Sequence, residues 1–535
     1  MAPANGPDIT AADLRRRLYI FSDDSMLGRE AGTLGNVKGT NYIAAEAAKL
    51  GLRPAGDNGT FFQTVPLVLH QPDPASKLSA NGASLVMGRD LVILPSFRGQ
   101  FGTSFASTGT ETIYAGRFGD TTEHLSPELM AGKIVVFDAP LGPDGRPSAR
   151  FRGRLEQYAG AAGIAIAMLD YMPPGLVKGF LRSQTTIQGT DTASGNLPVG
   201  LLISQHAAMQ MLGAPFGSLQ VGSPGQTVSG MIRTVEMPTP SPARNVVAIF
   251  PGTDPTLAGE YVAIGGHNDH LGIDDHASDH DSARAALTER WRLRGLDPEG
   301  PQPTPAQIAA MHINVDSLHH IHPARRDSVY NGADDDGSGA VSVLEVAQAF
   351  AKSHTHPRRS ILFVWHTGEE KGLLGSQYFT DHPTVPRDSI VAQLNMDMVG
   401  RGDSADIKGG GPRYLELVGS RRLSTELGDL VEAVNKTEPM PFVFDYQFDA
   451  NGHPENIYCR SDHYEYARYG IPIVFFTTGL HQDYHQITDE AQYIDYPHMA
   501  RVDRLVYDIA VRLADLDHRV VVDKPKPDPH GQCRQ

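Results

Sequence analysis

Histidines and carboxylates recur directly behind apolar runs in the second half of the chain. YVAIGG (261–266) is followed by His267-Asn268-Asp269-His270, SILFVW (360–365) by HTGEE with Glu369 and Glu370, and IVAQLNM (390–396) by Asp397. IPIVFF (471–476) leads into a loop that ends in Tyr484-His485, and an acidic turn, GADDDGSG (332–339), opens a helical segment. Singly, these are a hydrogen-bonded histidine, a solvated glutamate pair or an aspartate cluster at a helix N-terminus. Together, imidazole nitrogens and carboxylate oxygens are the donors that suit zinc or a similar divalent ion. One carboxylate shared by two ions, with one histidine and one carboxylate completing each, makes a pair about 3.5–4 Å apart. Such a pair polarises a carbonyl and lowers the pKa of water from ~15.7 toward ~7. A spare carboxylate beside a ligand can then take the water's proton and pass it to a leaving amine. A calcium loop is excluded, because placing Gly337 at position 6 puts Gly332 at position 1 and Val343 at position 12. Neither a G-x-S-x-G elbow nor an HExxH signature is present.

Positioning such donors requires a scaffold whose strand ends meet. After Arg244, apolar runs at 245–250, 261–266, 360–365, 390–396 and 471–476 alternate with helical segments such as AVSVLEVAQAFAK (340–352) and RLSTELGDLVEAVNK (422–436). This pattern predicts an α/β fold with a mostly parallel, buried sheet between helices, where ligands collect at the carboxyl ends of the strands. Residues 11–52 read as helix, loop, helix. From Phe61 to Met231, short β-like runs alternate with Gly, Pro, Ser and Thr clusters. There GKIVVFD (132–138) reads as a strand, LEQYAGAAGIAIAMLD (155–170) as an Ala-rich helix feeding a strand, and 196–212 as a strand entering a helix. The Pro-rich tail, 516–535, is expected to fray.

The chain has 535 residues, of which 46 are Lys or Arg and 62 Asp or Glu, so its net charge is −16. That balance repels nucleic acid and anionic membrane, and no apolar run is long enough to span a bilayer. Two cysteines, Cys459 and Cys533, are too few for a disulfide framework or a cysteine zinc site, which leaves the 22 histidines as metal donors. MAPANGPDIT lacks a charged segment followed by an apolar one. The chain therefore reads as a cytoplasmic protein or as a mature secreted or periplasmic form.

The motifs GGHNDHLG, NGADDDGSG, HTGEEKGLLGS, NMDMVGR, SDHYEYARYGIP and YHQITD occur in that order. They resemble the two-zinc exopeptidases of peptidase family M28, which include leucyl aminopeptidases and glutamate carboxypeptidases. The resemblance implies the zinc exopeptidase fold, with 10–75 and 241–515 forming the catalytic domain and 76–240 an inserted β-rich, protease-associated domain. It implies two Zn²⁺ held by His267, Asp335, Glu370, Asp397 and His485, with Asp335 shared. Glu369 matches the general base, Asp269 the carboxylate that orients His267, and Tyr484 a hydroxyl near the scissile carbonyl. Spacing alone does not choose Asp335 over Asp334 or Asp336. The Asp335–Asp336 peptide is expected to be cis. Ser461-Asp462-His463 matches a family motif, and Asp462 and His463 are assigned supporting or packing roles. The expected activity is an aminopeptidase acting on peptides; the alternatives are a carboxypeptidase, with Arg401 or Arg460 for the substrate carboxylate, and a non-catalytic receptor-like protein. Residues 274–328 depart from simple relatives and are expected to form a helical flap. Its histidines 276, 280, 312, 319, 320 and 322 follow no strand of the sheet and are excluded as ligands of the main site.

Overall fold

A computed structural model describes residues 8–94, 101–120, 125–139, 142, 158–189, 197–321, 323–354 and 356–535. The chain divides into two units, one comprising 1–65 with 240–535 and the other Pro66–Thr239. The sequence placed the start of this second unit at 76 rather than 66. Strand Leu67–Pro72 belongs to the second unit because it pairs with Gln184–Ile187 and Pro224–Pro238.

The first unit is built on a nine-stranded sheet. Its central strands lie in the order Ser360–His366, Tyr261–His267, Ile390–Met396, Ile473–Thr477, and all run parallel. Ala243–Phe250 and Tyr414–Val418 flank them antiparallel. The apolar runs are continuous because both faces are covered. Val246 and Ala248 pack into one core with Leu14, Leu18 and Phe350 from helices Ala11–Phe21 and Gly339–Lys352. Val247 and Ile249, one residue out of phase, pack into the other with Phe379 and Tyr466 from helices Leu374–Asp381 and His463–Ala467. The expected α/β fold is found. Because the four central strands are parallel, their carboxyl ends share one edge.

The second unit holds a ten-stranded sheet in which Ile134–Asp138, Gly163–Ala167 and Val199–Ile203 are adjacent and parallel. The Ala-rich helix read at 155–170 does not form in its described part: the chain turns at Gly160–Gly163 and enters strand Gly163–Ala167, while 155–157 lie outside the described residues. Small side chains suit this strand, since a Cβ on Gly163 would stand 3.1 Å from Val199.

Residues 272–330 form a β-ribbon, Gly272–Asp279 with Arg326–Tyr330, which carries helices His280–Leu293, Pro305–Ala309 and Val315–Ile321. The first helix is docked on the rest of the first unit. Trp291 Nε1 donates to the Asp406 carbonyl at 2.6 Å, the Arg284 guanidinium lies 3.5 Å from the centre of the Tyr493 ring, and His280 is fully buried with Nε2 3.4 Å from Glu490. No helix among the described residues is long and apolar enough to cross a membrane.

The C-terminal tail is tied down where fraying was expected. Cys533 forms a disulfide with Cys459 across a separation of 74 residues, and Val520 is buried. Gln535 donates its side-chain amide to the Phe448 carbonyl and accepts from the Tyr458 N–H at 3.1 Å. Proline-rich composition describes a chain without its own core, but a covalent link supplies the missing anchor. Cys533→Ser is expected to lower stability by about 2–4 kcal/mol by releasing that closed loop in the unfolded chain. The check is a lower denaturation midpoint in the variant, matched by the wild-type chain under reductant.

Candidate metal and catalytic site

His267 is the last residue of its strand, and its backbone N–H donates to Asp336 Oδ2 at 2.9 Å. Its Nδ1 faces the Asp269 carbonyl at 3.1 Å, which leaves Nε2 pointing at Asp335 Oδ1, 3.1 Å away, with Asp397 Oδ1 at 3.7 Å. The Asp269 carboxylate stands 3.7 Å from Nδ1, beyond hydrogen-bond reach, and instead accepts the Glu369 N–H at 3.1 Å. The orienting contact on His267 is thus the backbone carbonyl of Asp269, not its side chain.

The second group gathers around the other oxygen of Asp335. His485 Nε2 is 3.0 Å from Asp335 Oδ2 and 3.0 Å from Glu370 Oε2. A histidine that sequence reasoning passed over, His270, joins them, with Nδ1 2.6 Å from Glu370 Oε1. Donor atoms of His267, Asp335 and Asp397 lie within 4.8 Å of one another, as do those of His270, Asp335 and Glu370. None of histidines 276, 280, 312, 319 and 320 enters either group, and His322 lies outside the described residues.

The acidic turn sends its three aspartates in three directions. Asp334 receives the Gly400 N–H at 2.7 Å and faces His481 Nε2 at 3.1 Å. Asp336 receives N–H groups from His267 and Gly339. Asp335 alone turns toward His267 and His485. The Asp335–Asp336 peptide is cis. Asp489 accepts the N–H groups of both Asp334 and Asp335, which pins the turn. Asp397 is held by the Ser461 hydroxyl at 2.6 Å, and Ser461 in turn accepts from Asn395. Of the Ser461-Asp462-His463 motif, only serine touches a candidate ligand. Asp462 faces His366 at 3.4 Å, and the His463 ring stacks on Phe475.

Electrostatics follow from burying so many carboxylates. Burial opposes ionisation of Glu370, yet His270 and His485 hold its carboxyl down at about 2. Burial likewise opposes the charged His485, but Asp335 and Glu370 push it up to about 10. Burial raises Glu369 well above the usual carboxylate range; His267 opposes this and Asp397 and Glu370 reinforce it. Glu369 belongs to neither donor group. His267 Nε2 and Asp335 Oδ2 are buried and make no well-aligned hydrogen bond among the described residues, although each stands about 3 Å from an opposing donor atom. Buried nitrogen and oxygen atoms so placed amid clustered negative charge fit divalent cations, since an isolated buried charge is otherwise costly.

Beside the donors lies a small, partly open pocket. Met398, Phe448, Ile457, Phe475 and Leu480 form its apolar wall, while Glu369, Arg460 and Tyr484 supply polar groups. Arg460 Nη2 donates to the Tyr484 hydroxyl at 3.1 Å. A guanidinium has no acceptor, so the Tyr484 oxygen accepts and its own proton remains available to another group.

Residues 245–510 match the family model described as Peptidase family M28. Among curated proteins, the chain is 29% identical over 192 residues to Leucine aminopeptidase 1 of Paracoccidioides brasiliensis (strain Pb18), covering 34% of this chain and 46% of that protein. It is 31% identical over 198 residues to Leucine aminopeptidase 1 of Coccidioides posadasii (strain C735), covering 34% and 47%. The chain thus spans about half the length of the curated relatives it matches. The solved structure of an aminopeptidase from Aneurinibacillus sp. strain AM-1 shares the fold, with a TM-score of 0.51, 15% identity and 97% coverage of both chains. Residues 245–510 thus form a domain of peptidase family M28.

Proposed function

We propose that this protein is a two-metal aminopeptidase that removes apolar N-terminal residues from peptides. The observation that carries the reading is Asp335 standing between His267 and His485, one carboxylate oxygen toward each. His267, Asp335 and Asp397 would hold one ion, and Asp335, Glu370 and His485 the other, with zinc favoured by the nitrogen and oxygen donors. When bound, such ions polarise the scissile carbonyl and acidify water. Glu369 accepts the proton of the attacking water and returns it to the leaving amine nitrogen. Tyr484, its oxygen occupied by Arg460, donates its proton toward the oxygen that gains charge during attack. The apolar wall of the pocket takes the N-terminal side chain.

Leucine aminopeptidase relatives support this choice of substrate end. The carboxypeptidase alternative needs an uncommitted cation. Arg401 is buried and bound to Asp406 and Asp483, and Arg460 is engaged by Glu455 and Tyr484. The β-rich unit 66–239 is read as a protease-associated domain on the motifs GKIVVFD and AGAAGIAIAMLD. The Cys459–Cys533 disulfide supports a secreted or periplasmic location, where such bonds persist.

Hydrolysis of leucine p-nitroanilide, sensitive to chelator, is the expected result, with an N-blocked dipeptide left intact. Cleavage of the blocked dipeptide alone would replace this reading by the carboxypeptidase one. A chain that binds no divalent ion and cleaves neither would replace it by the receptor-like one.

A further inference from the structure

Two histidines address opposite oxygens of one carboxylate. Glu370 Oε2 faces His485 Nε2 at 3.0 Å, the same nitrogen that lies 3.0 Å from Asp335 Oδ2, so these three donor atoms converge. Glu370 Oε1 meets His270 Nδ1 at 2.6 Å, whereas that nitrogen is 3.9 Å from Asp335 Oδ2. An ionised carboxylate has no proton to give, so Nδ1–H donates.

The surroundings hold the His270 ring in this place. His270 is completely buried, and its backbone N–H points to the Arg29 carbonyl. The Arg29 guanidinium binds the carbonyls of Asn331 and Gly332, which fixes the turn against the ring. At Gly332, φ is +50° and a Cβ would come within 2.5 Å of His270 Cγ and Cδ2, so only glycine lets the imidazole lie there.

We propose that His270 is a positioning residue of the second metal centre, holding Oε1 of Glu370 so that Oε2 alone is presented to the ion beside Asp335 and His485. The inference rests on the two-ion reading above. A carboxylate free to rotate offers either oxygen or both; one hydrogen bond from a locked imidazole removes that choice and favours a single-oxygen ligand. Partners of this kind tune affinity without joining the coordination sphere.

The test is chelator-competition titration of metal content, together with visible absorption of the cobalt(II)-loaded protein, in wild type, His270→Ala and His270→Asn. His270→Ala should weaken one of the two ions by about 10–100-fold and leave the other unchanged. His270→Asn places an amide N–H near the position of Nδ1 and should recover most of the loss, which also separates positioning from a folding defect. At saturating cobalt, His270→Asn should keep the wild-type bands, whereas His270→Ala, with both Glu370 oxygens free to ligate, should shift them. Wild-type affinity at both sites in His270→Ala overturns the inference. Bands in His270→Asn displaced as far as in His270→Ala also overturn it, since they identify His270 as a ligand that the amide does not replace. A wild-type chain that takes up no ion removes the two-ion reading itself, a failure distinct from the other two.

Discussion

Asp335→Ala should yield a folded chain that retains less than one divalent ion after dialysis and hydrolyses leucine anilide only at background rate. Among the described residues, Asp335 is the single side chain common to both donor groups. Its two oxygens stand 3.1 Å from His267 Nε2 and 3.0 Å from His485 Nε2, so removing the carboxylate opens both centres at once. The fold should survive. The contact that pins the turn runs from the backbone N–H of Asp335 to Asp489 and persists in alanine. Activity should fall by more than about 10⁴-fold, because unassisted water, with a pKa of ~15.7 rather than ~7, offers almost no nucleophile at neutral pH. Elemental analysis and circular dichroism on the same sample decide the matter. A folded variant that still carries two ions would remove Asp335 from its shared role.

Much of this arrangement was legible because the sheet is parallel and covered on both faces. Continuous apolar runs marked the strands, and the chemistry-bearing residues stood immediately behind them, at 267, 369–370, 397 and 484–485. What remained hidden depends on approach in space rather than spacing in sequence. His270 lies in the same tetrapeptide as His267, yet only the fold brings its ring to the far oxygen of Glu370. Ser461 and Asp489 are loop residues whose roles arise from contacts with Asp397 and with the backbone of the acidic turn. Within DDD, three identical side chains carry no local signal of direction; their separate partners, Gly400, His485 and Gly339, choose for them. Two cysteines 74 residues apart gave no sign of pairing, so composition alone governed the reading of the tail. Alanine-rich 158–167 followed helical propensity on paper, but 158–162 turn and the parallel neighbours on both sides make Gly163–Ala167 a strand.

Glu369→Gln separates proton transfer from every other property of the site. Glutamine matches glutamate in size and keeps the carbonyl oxygen but accepts no proton at neutral pH. Glu369 lines the pocket with Tyr484 and lies outside both donor groups, so the ions should remain at wild-type content. Its backbone N–H stays bound to Asp269 Oδ1, so the loop should not move. Burial, opposed by His267 and reinforced by Asp397 and Glu370, raises the carboxyl above its ordinary range. Turnover of leucine anilide should fall by on the order of 10²–10⁴, the contribution expected of a positioned acid–base group. KM should change little, because the apolar wall proposed to receive the side chain is untouched. Loss of metal along with activity would instead make Glu369 a ligand. Near-normal turnover with both ions bound would falsify its role as the base, and the proton of the attacking water would then have to leave through another carboxylate of the cluster.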